Sequence, residues 1–330
     1  MGEEIYILKD YKLSRKNNTI LLENKDVKEF IPVTALKVIH IFGEFDCNKK
    51  FLELTSHYNI ILYIYDYYGN CIGNFYPKKL HGNGDILLKQ CESYQNIEKR
   101  TQLAKKFLNG TTKTILQNLK YYNRRERDLT EEIEKIEGLY EKLQKQNDIE
   151  KIMAIEGNIR QIYYKTFNKI ILQDGFEFRQ RNRRPPKDPI NALISFLNTL
   201  VYNEVLSQLY STGLNPAIGY LHSSNGRKET LHLDIAELFK PALADRIIFS
   251  LINKRMIRKE DFEVKSNGVL IKEDAKKKII EEFHKKLEKG VSGYSSSAKD
   301  SYRTLIRKEI LKIKKELLEN VEYVPIVLKV

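Results

Sequence analysis

The sequence predicts an α+β protein, with a small β-rich domain at the N-terminus and a larger all-α domain after it. The chain has 330 residues, a length typical of about two domains. Up to residue 77, segments rich in Ile, Leu and Tyr alternate with Asn and Gly turn signals, which is typical of strands. After Pro77, apolar residues recur at helical steps. We therefore expect domains over residues 1–77 and 91–330, joined by a polar, glycine-containing linker over 78–90.

The first domain is expected to be mostly strand, interrupted by two short helices. The helices are predicted around residues 33–42 and 49–58, and Asn17–Asn18 and Gly69–Asn70 are expected to form turns. The strand-like sequences are EIYILKD at 4–10, KLSRKNNTILLENK at 12–25 and NIILYIYDYYGNCIGNFYP at 59–77.

The second domain is expected to be helical almost throughout, starting with helical spacing from about residue 87 to 172. Pro185 and Pro186 forbid regular helix in RQRNRRPPKDP. Beyond them, a helix is predicted over 190–215, with an end near Gly213, and a second from Asp234 onward, with a kink or restart at Pro241. Two more helices are predicted over 273–288 and 301–319, with a flexible loop between them at 289–299.

The composition favours an anionic partner. Lys and Arg number 57 against 44 Asp and Glu, which gives a net charge of +13. Nucleic acid is the usual partner of such a surface, although solvated lysines on an ordinary soluble protein would give the same balance. Three cysteines without a CxxC pair indicate neither a disulfide framework nor a zinc site. No apolar run approaches the roughly 20 residues that cross a bilayer, so we expect a cytoplasmic protein without membrane contact.

The stretch GYLHSSNGRKETLHLDIAEL, at 219–238, gathers imidazole and carboxylate in a basic chain that has six histidines. If 234–240 is helical, Asp234 and Glu237 share one face, and His222 precedes them on a loop. Two carboxylates and a histidine suit Mg²⁺ or Mn²⁺, and such an ion supports phosphodiester chemistry. The same acidic pair could instead be only a helix cap.

A further ligand is expected at Glu156, which lies in a run otherwise apolar on its side of a predicted helix. Gly157 follows it, and a glycine there costs about 1 kcal/mol of helix propensity. Close approach of a helix or a ligand would explain the glycine. A tolerated glycine beside a Glu at the helix edge is the alternative.

Several of these segments together resemble the CRISPR-associated adaptation integrases, the Cas "one" proteins. The resemblance runs over nearly the whole chain, and no single segment would be specific alone. It is carried by IPVTALKVIHIFGE at 31–44, EGNIRQIYY at 156–164, RRPPKDPINALISFLNTLVYNEV at 183–205 and GLNPAIGYLHSSNGRKETLHLDIAELFKPALAD at 213–245.

The resemblance implies a β-rich N-terminal domain that dimerises and a helical catalytic domain. Glu156, His222 and Glu237 would be the catalytic residues and the ligands of Mg²⁺ or Mn²⁺, with Asp234 as an auxiliary acidic group and Lys240 contacting DNA phosphate. The implied partners are double-stranded and branched DNA, a second copy of the chain and the small Cas "two" protein. The implied reaction inserts short DNA fragments, spacers, into a CRISPR array by transesterification, with a 3′-hydroxyl as nucleophile.

The expected DNA path includes Arg181, Arg183 and Arg184 on the proline-rich turn, which could equally have a structural role. The lysine-rich helix at 301–315 is a second candidate for DNA contact. Two other functions stay open at this point: a general metal-dependent nuclease that cleaves without joining, and a DNA-binding scaffold without catalysis.

Overall fold

The computed structural model describes residues 4–78, 84–183, 185–222, 229–266, 268–291 and 300–328. The chain divides into two compact units, Met1–His81 and Gly82–Val330. The first unit is β-rich and the second is mostly helical, which confirms the predicted fold class.

The first unit contains two four-stranded sheets, with strand orders β1-β5-β7-β8 and β4-β3-β2-β6. Alternate apolar side chains, such as Leu13 and Ile20, join Phe51 of the helix in a shared buried core. The elements are β1 (Glu4–Ile7), β2 (Tyr11–Lys16), β3 (Thr19–Glu23), β4 (Lys28–Pro32), β5 (Val38–Ile41), β6 (Phe45–Cys47), α1 (Lys49–His57), β7 (Ile61–Tyr65) and β8 (Cys71–Phe75).

The predicted helix over 49–58 is confirmed by α1, but the helix predicted over 33–42 is wrong. Val38–Ile41 forms β5, which pairs in parallel with β1 on one side and β7 on the other. All four of its residues are buried. A strand covered on both faces reads as a continuous apolar run, and such a run cannot be told from a short buried helix by periodicity.

Both predicted turns of this unit are confirmed. Asn17 has a φ of 55° and Gly69 a φ of 83°, the left-handed conformation that Asn and Gly adopt most readily. The Gly69 amide also donates to the Asp66 carbonyl over 2.9 Å, which closes the turn between β7 and β8.

The second unit surrounds its long helices with shorter ones and two small two-stranded sheets. Its elements are α2 (Gly84–Gln95), α3 (Ile97–Asn123), α4 (Thr130–Gln144), α5 (Ile149–Lys165), α6 (Phe167–Ile170), α7 (Pro189–Thr212), α8 (Leu231–Phe239), a π-helical turn (Pro241–Asp245), α9 (Arg246–Asn253), a 3₁₀ turn (Lys259–Asp261), β9 (Phe262–Lys265), β10 (Gly268–Ile271), α10 (Glu273–Leu287), β11 (Gly290–Val291), β12 (Asp300–Ser301) and α11 (Tyr302–Glu319).

Residues 84–90 are helical, so the linker expected over 78–90 is too long at its C-terminal end. The segment is helical because some of its residues are buried, which its polar sequence does not indicate. Ile86 is buried, and the fully buried Gln90 accepts from the Asn215 amide over 2.7 Å and donates to the Asn215 carbonyl over 3.1 Å. These contacts fix the start of α2 against the rest of the unit.

Helix α7 begins and ends as the sequence predicts. The Asp188 carboxylate accepts from the Asn191 amide over 2.8 Å at its start, and Gly213 takes a φ of 80° at its end. The predicted loop at 289–299 lies largely outside the described residues. In the described part of the chain, no helix is both long enough and apolar enough to span a membrane.

Pro241 interrupts the helical run after α8, as predicted. Proline has no N–H for the carbonyl four residues earlier, and its ring clashes with that carbonyl. The backbone widens into a π-helical turn, in which the Asp245 amide donates to the Lys240 carbonyl over 3.1 Å. The turn is fully buried, and it carries Asp245 into the interior.

Candidate active site

Asp234, in the first turn of α8, organises the loop before that helix. Its fully buried carboxylate accepts from the backbone amides of Tyr220, Leu221 and His222 over 2.6, 3.0 and 3.0 Å. It also bonds Nδ1 of His222 over 2.7 Å. A carboxylate only accepts, so this bond places the imidazole proton on Nδ1 and leaves the lone pair of Nε2 for another partner.

Glu237 and Glu156 meet at one buried guanidinium, although they lie on different helices. Arg160 of α5 donates from Nη2 to Glu237, and its Nε lies 3.3 Å from Oε1 of Glu156, one turn earlier on α5. Arg160 and Glu237 are both buried, with exposures of 8% and 5%, while Glu156 is half-buried. The two carboxylates therefore converge on a single position between α5 and α8.

Lys240 follows Glu237 by one turn and is also buried. Its ammonium group donates to Glu237 and lies 3.3 Å from the Tyr202 hydroxyl. Burial raises the pKa of Tyr202, but the charge and the hydrogen bond of Lys240 outweigh it, so the net pKa lies below the usual value. The ammonium of Lys240 thus faces protein groups, and its contact with DNA phosphate stays a prediction.

Arg160 keeps its charge in spite of its burial. Burial lowers its pKa, but its ionisable neighbours, Tyr164 first and Glu156 next, raise it above the usual value. Its Nη1 atom is buried without a hydrogen-bond partner among the described residues. The site therefore holds a positive charge that its two carboxylate partners do not fully satisfy.

Asp245 lies near this charge at the end of the π-helical turn. Burial raises its pKa to about 6, against the opposing charges of Arg160 and Lys240. Within the described residues, neither of its carboxyl oxygens has a hydrogen-bond partner of good geometry, although Tyr163 is close enough to lower its pKa. The π-helical turn has thus placed a carboxyl beside the site at a real electrostatic cost.

The residue types expected as metal ligands suit a hard divalent cation in their chemistry. Two carboxylates and an imidazole nitrogen form a donor set that Mn²⁺ accepts and Mg²⁺ tolerates, and Glu156 and Glu237 already share one cation, the Arg160 guanidinium. Over the described ranges, however, no three His, Cys, Asp or Glu side chains are grouped to hold a metal. The structure brings Glu156 and Glu237 together through Arg160, and it brings His222 to Asp234.

The arginines of the proline-rich turn have different surroundings. Arg181 braces the turn on α7, because it donates to Oδ1 of Asn191 over 2.7 Å and to the Ser195 hydroxyl over 2.9 Å. Arg183 is exposed. Arg184 lies outside the described residues. DNA contact by these three arginines stays a prediction, and Arg183 is the one whose exposure suits it.

Gly157 does not serve helix packing. A Cβ built on it would meet no atom within 4 Å, so the expectation that a neighbouring helix approaches there is wrong for the described residues. The two explanations left are a ligand at this position and a glycine that is merely tolerated at the helix edge. Tyr163 and Tyr164, which follow on α5, are buried and pack with Phe167 and Phe178, so they belong to the core.

Sequence reasoning missed three residues of this site: Arg160, Tyr202 and Asp245. Arg160 stands four positions after Glu156, and that spacing on a helix predicts an ion pair. Asp245 stands four positions after Pro241 in an otherwise apolar run, a pattern that signals a buried acid. Tyr202 gives no sequence signal, because a tyrosine in an apolar helix is most often a core residue.

Known proteins resemble this chain in sequence over its whole length. A family model described as CRISPR associated protein Cas1 matches residues 5–285. A protein of Thermodesulfovibrio yellowstonii named CRISPR-associated endonuclease Cas1 2 is 42% identical over 327 residues, covering 99% of each chain.

Solved structures resemble it in fold. A CAS1 protein from Thermotoga maritima superposes with a TM-score of 0.87 at 36% identity, covering 96% of this chain and 97% of that one. A casposase bound to its integration product superposes with a TM-score of 0.86 over 98% of this chain and 93% of that one. Its identity is only 19%, so this second likeness concerns the fold alone.

Proposed function

The chain belongs to the family of CRISPR associated protein Cas1, and we propose on that basis that it inserts short DNA fragments into a CRISPR array by metal-dependent transesterification. The same chemistry would cleave or rejoin branched DNA. Relatives named as CRISPR-associated endonucleases, 42% and 39% identical to this chain, support this assignment.

In the proposed reaction, the 3′-hydroxyl oxygen of the incoming DNA attacks a phosphorus atom of the target strand. A new phosphodiester bond forms, the bond to the departing 3′-oxygen breaks, and the proton of the attacking hydroxyl passes to the departing oxygen or to solvent. One phosphodiester is broken and one is made, so the reaction is reversible and needs no external energy source.

The residues for this reaction are proposed from the geometry of α5 and α8. Glu156, Glu237 and Nε2 of His222 would hold Mg²⁺ or Mn²⁺, and a bound ion of this kind polarises a phosphoryl oxygen and activates a hydroxyl. Asp234 fixes the tautomer and orientation of His222. Lys240, buried beside Glu237, adds positive charge where negative charge develops on the phosphoryl oxygens.

One observation carries the proposal most directly. Glu156 and Glu237 come from helices distant in sequence, yet they converge on one cation in a buried position. Two carboxylates brought together in this way repel each other unless a cation lies between them. A helix cap at Asp234 would not account for the meeting of Glu156 and Glu237 at one cation.

The proposal is tested by a strand-joining assay on labelled branched DNA that mimics a half-inserted fragment. Wild type is compared with Glu156→Gln in Mn²⁺, in Mg²⁺ and with chelator. Glu150→Gln is the matched control, because Glu150 is an exposed residue of the same helix. We expect metal-dependent joining in wild type and in the control, and at least a hundredfold loss in Glu156→Gln.

The other outcomes decide between the alternatives. Shortened strands without a joined product would indicate that the protein is a general nuclease and not an integrase. Intact DNA binding with no reaction under any condition would indicate the scaffold. Equal joining by Glu156→Gln and wild type would refute the site.

We further propose a cytoplasmic homodimer that assembles with the small Cas "two" protein, as the family resemblance implies. Light scattering on the purified chain, alone and mixed with that protein, gives the masses directly. A monomeric mass at micromolar concentration would contradict the dimer.

A further inference from the structure

A cluster of cations and aromatic rings lies at the C-terminal end of α3, next to the candidate active site. Tyr121 and Tyr122 meet edge to face, with ring centroids 5.1 Å apart. The guanidinium carbon of Arg246 lies 4.1 Å from the Tyr121 centroid and 5.3 Å from the Tyr122 centroid. Arg125 covers Tyr121 as well, at 3.7 Å. The rings thus hold two guanidinium groups in place.

Arg246 is not neutralised by this arrangement. Among the described residues, its Nη1 atom is buried and has no hydrogen-bond partner. The π face of an aromatic ring attracts and orients a guanidinium group. The ring carries no net charge, however, and it is only a weak acceptor for the N–H groups of the guanidinium. The guanidinium of Arg246 is therefore held by aromatic rings and not by a carboxylate, so these contacts do not compensate its charge.

Lys286 of α10 adds a second uncompensated charge. It is half-buried, and its ammonium nitrogen lies 5.3 Å from the Tyr302 centroid. Burial, together with the like charges of Arg246 and Lys289, lowers its pKa to about 8. A nearby carboxylate would raise the pKa of a lysine instead, and the charges that act on this ammonium group besides its burial are the like charges of Arg246 and Lys289.

Among the residues that the structure describes, no carboxylate pairs with the cluster. In the part of the chain that the structure describes, neither Arg246 nor Lys286 forms an ion pair, and the remaining positions of this unit contain no Asp or Glu. Nearby cations behave differently: Lys285 lies 2.8 Å from Glu282, and Lys120 lies 2.7 Å from Glu137. Lys285 and Lys120 thus each have a carboxylate partner that Arg246 and Lys286 lack among the described residues.

We propose that Arg246 and Lys286 form a phosphate-binding subsite that contacts the backbone of the DNA substrate outside the reacting position. This inference rests on the proposed function, since it names a second contact for the same DNA. Arg246 supplies planar N–H donors and Lys286 a point charge, a combination that suits phosphate oxygens. Half-buried like charges repel each other, and a bound phosphate would relieve that repulsion.

The position of the subsite agrees with this role. Arg246 directly follows Asp245 of the π-helical turn. Asn118, one turn before Tyr122 on α3, donates to the Pro241 carbonyl over 2.7 Å. One helical turn spans about 5.4 Å. A strand whose scissile phosphate reached the candidate active site would thus have a neighbouring stretch of backbone within reach of the cluster.

Lys286→Gln is the variant that tests the subsite, and Lys285→Gln is its control. The two remove the same charge from adjacent positions of α10, but Lys285 is an exposed lysine already paired with Glu282. Binding of a fluorescein-labelled DNA duplex is measured by anisotropy at several salt concentrations, in chelator so that no reaction occurs. Removal of one phosphate-binding cation lowers the slope of log K against log salt by about 0.9.

We expect Lys286→Gln to weaken DNA binding at low salt by about tenfold and to lower the slope of log K against log salt by the contribution of about one phosphate contact. The DNA affinity of Lys285→Gln should stay within about twofold of wild type. We also expect the melting temperature of Lys286→Gln to equal or exceed that of wild type, because a repelled charge has been removed. A residue that only supported the fold would lower affinity and melting temperature together. Arg246→Gln should lower the slope in the same way.

Equal slopes for Lys286→Gln and Lys285→Gln, with normal binding by wild type, would overturn the subsite and leave the integrase proposal standing. Inorganic phosphate provides a further comparison. Suppose that phosphate raises the melting temperature of wild type but not of Lys286→Gln, while Lys286→Gln and Lys285→Gln bind DNA with equal salt slopes. That result would make the cluster a site for free anions and would refute the DNA contact. Failure of wild type to bind DNA at all would refute the proposed function itself.

Discussion

Arg160 joins the two candidate carboxylate ligands and occupies the position where a shared cation is most favourable. A metal ion held by Glu156 and Glu237 would therefore have to displace the guanidinium. The nearby carboxyl of Asp245 would offer the displaced guanidinium another counter-charge, since Nη1 of Arg160 has no partner among the described residues. At the scale of single residues, the two carboxylates would therefore bind either the guanidinium or a metal ion, but not both together.

The variant Arg160→Met tests this competition. Removal of one partner from a buried ion pair costs about 3–5 kcal/mol, so we expect a lower melting temperature without metal. We expect Mn²⁺ to raise the melting temperature more in the variant than in wild type, because the ion no longer competes with the guanidinium. Arg160→Lys keeps the charge and should resemble wild type. An identical Mn²⁺-induced shift in wild type and Arg160→Met would contradict the competition.

Asp245 gives the stability of the protein a pH dependence of known sign. Its folded-state pKa of about 6 lies above the ordinary value of 3.8, so the folded state holds the proton more tightly than the unfolded state. Its contribution is favourable at low pH and disappears as the pH rises from about 4 through about 6. One pKa unit corresponds to about 1.4 kcal/mol.

We therefore expect Asp245→Asn, compared with wild type, to gain about 2–3 kcal/mol in free energy of unfolding between pH 4 and pH 7. Urea unfolding at the two pH values measures the difference. Asp174→Asn, at an exposed position, serves as the control and should show no such change. A constant difference between Asp245→Asn and wild type would show that Asp245 does not titrate in this range.

At the scale of elements, α5 combines a candidate ligand with a glycine that no neighbour requires. We expect Gly157→Ala to raise the free energy of unfolding by about 0.5–1 kcal/mol, because alanine is the better helix former and its Cβ meets open space. If DNA passes over this face, the same variant will bind DNA more weakly. Chemical unfolding and DNA titration on one preparation measure both effects, and unchanged affinity would remove α5 from the DNA path.

Most elements were predictable because their signals are local. Asp188 and Gly213 mark the ends of α7, and Pro241 marks the break after α8. Strand β5 was not predictable, because its pairing with β1 and β7 is decided by residues distant in sequence. The same limit applies to the site. Spacing alone places Asp234 and Glu237 on one helix, but the meeting of Glu156 and Glu237 at Arg160 depends on how α5 and α8 pack.

At the scale of the whole molecule, the net charge of +13 predicts binding to DNA that is strongly salt-dependent. A protein that contacts six to ten phosphates loses about 10³–10⁵ in affinity between 50 and 200 mM salt. We expect a steep fall of this kind for wild type, measured by anisotropy with duplex and branched DNA. A flat dependence over that range would show that the excess of lysine and arginine is merely solvated and does not contact DNA.

The π-helical turn has a consequence for changes in chain length. Glu237 and Arg246 lie on either side of Pro241–Asp245, so the number of residues in that turn sets the angle between them around the helix axis. Deletion of one residue would return the segment to an ordinary helix and rotate Arg246 by about 100° away from its tyrosines. The segment therefore acts as a fixed spacer: it should accept many substitutions, but neither insertion nor deletion, as these proteins diverge.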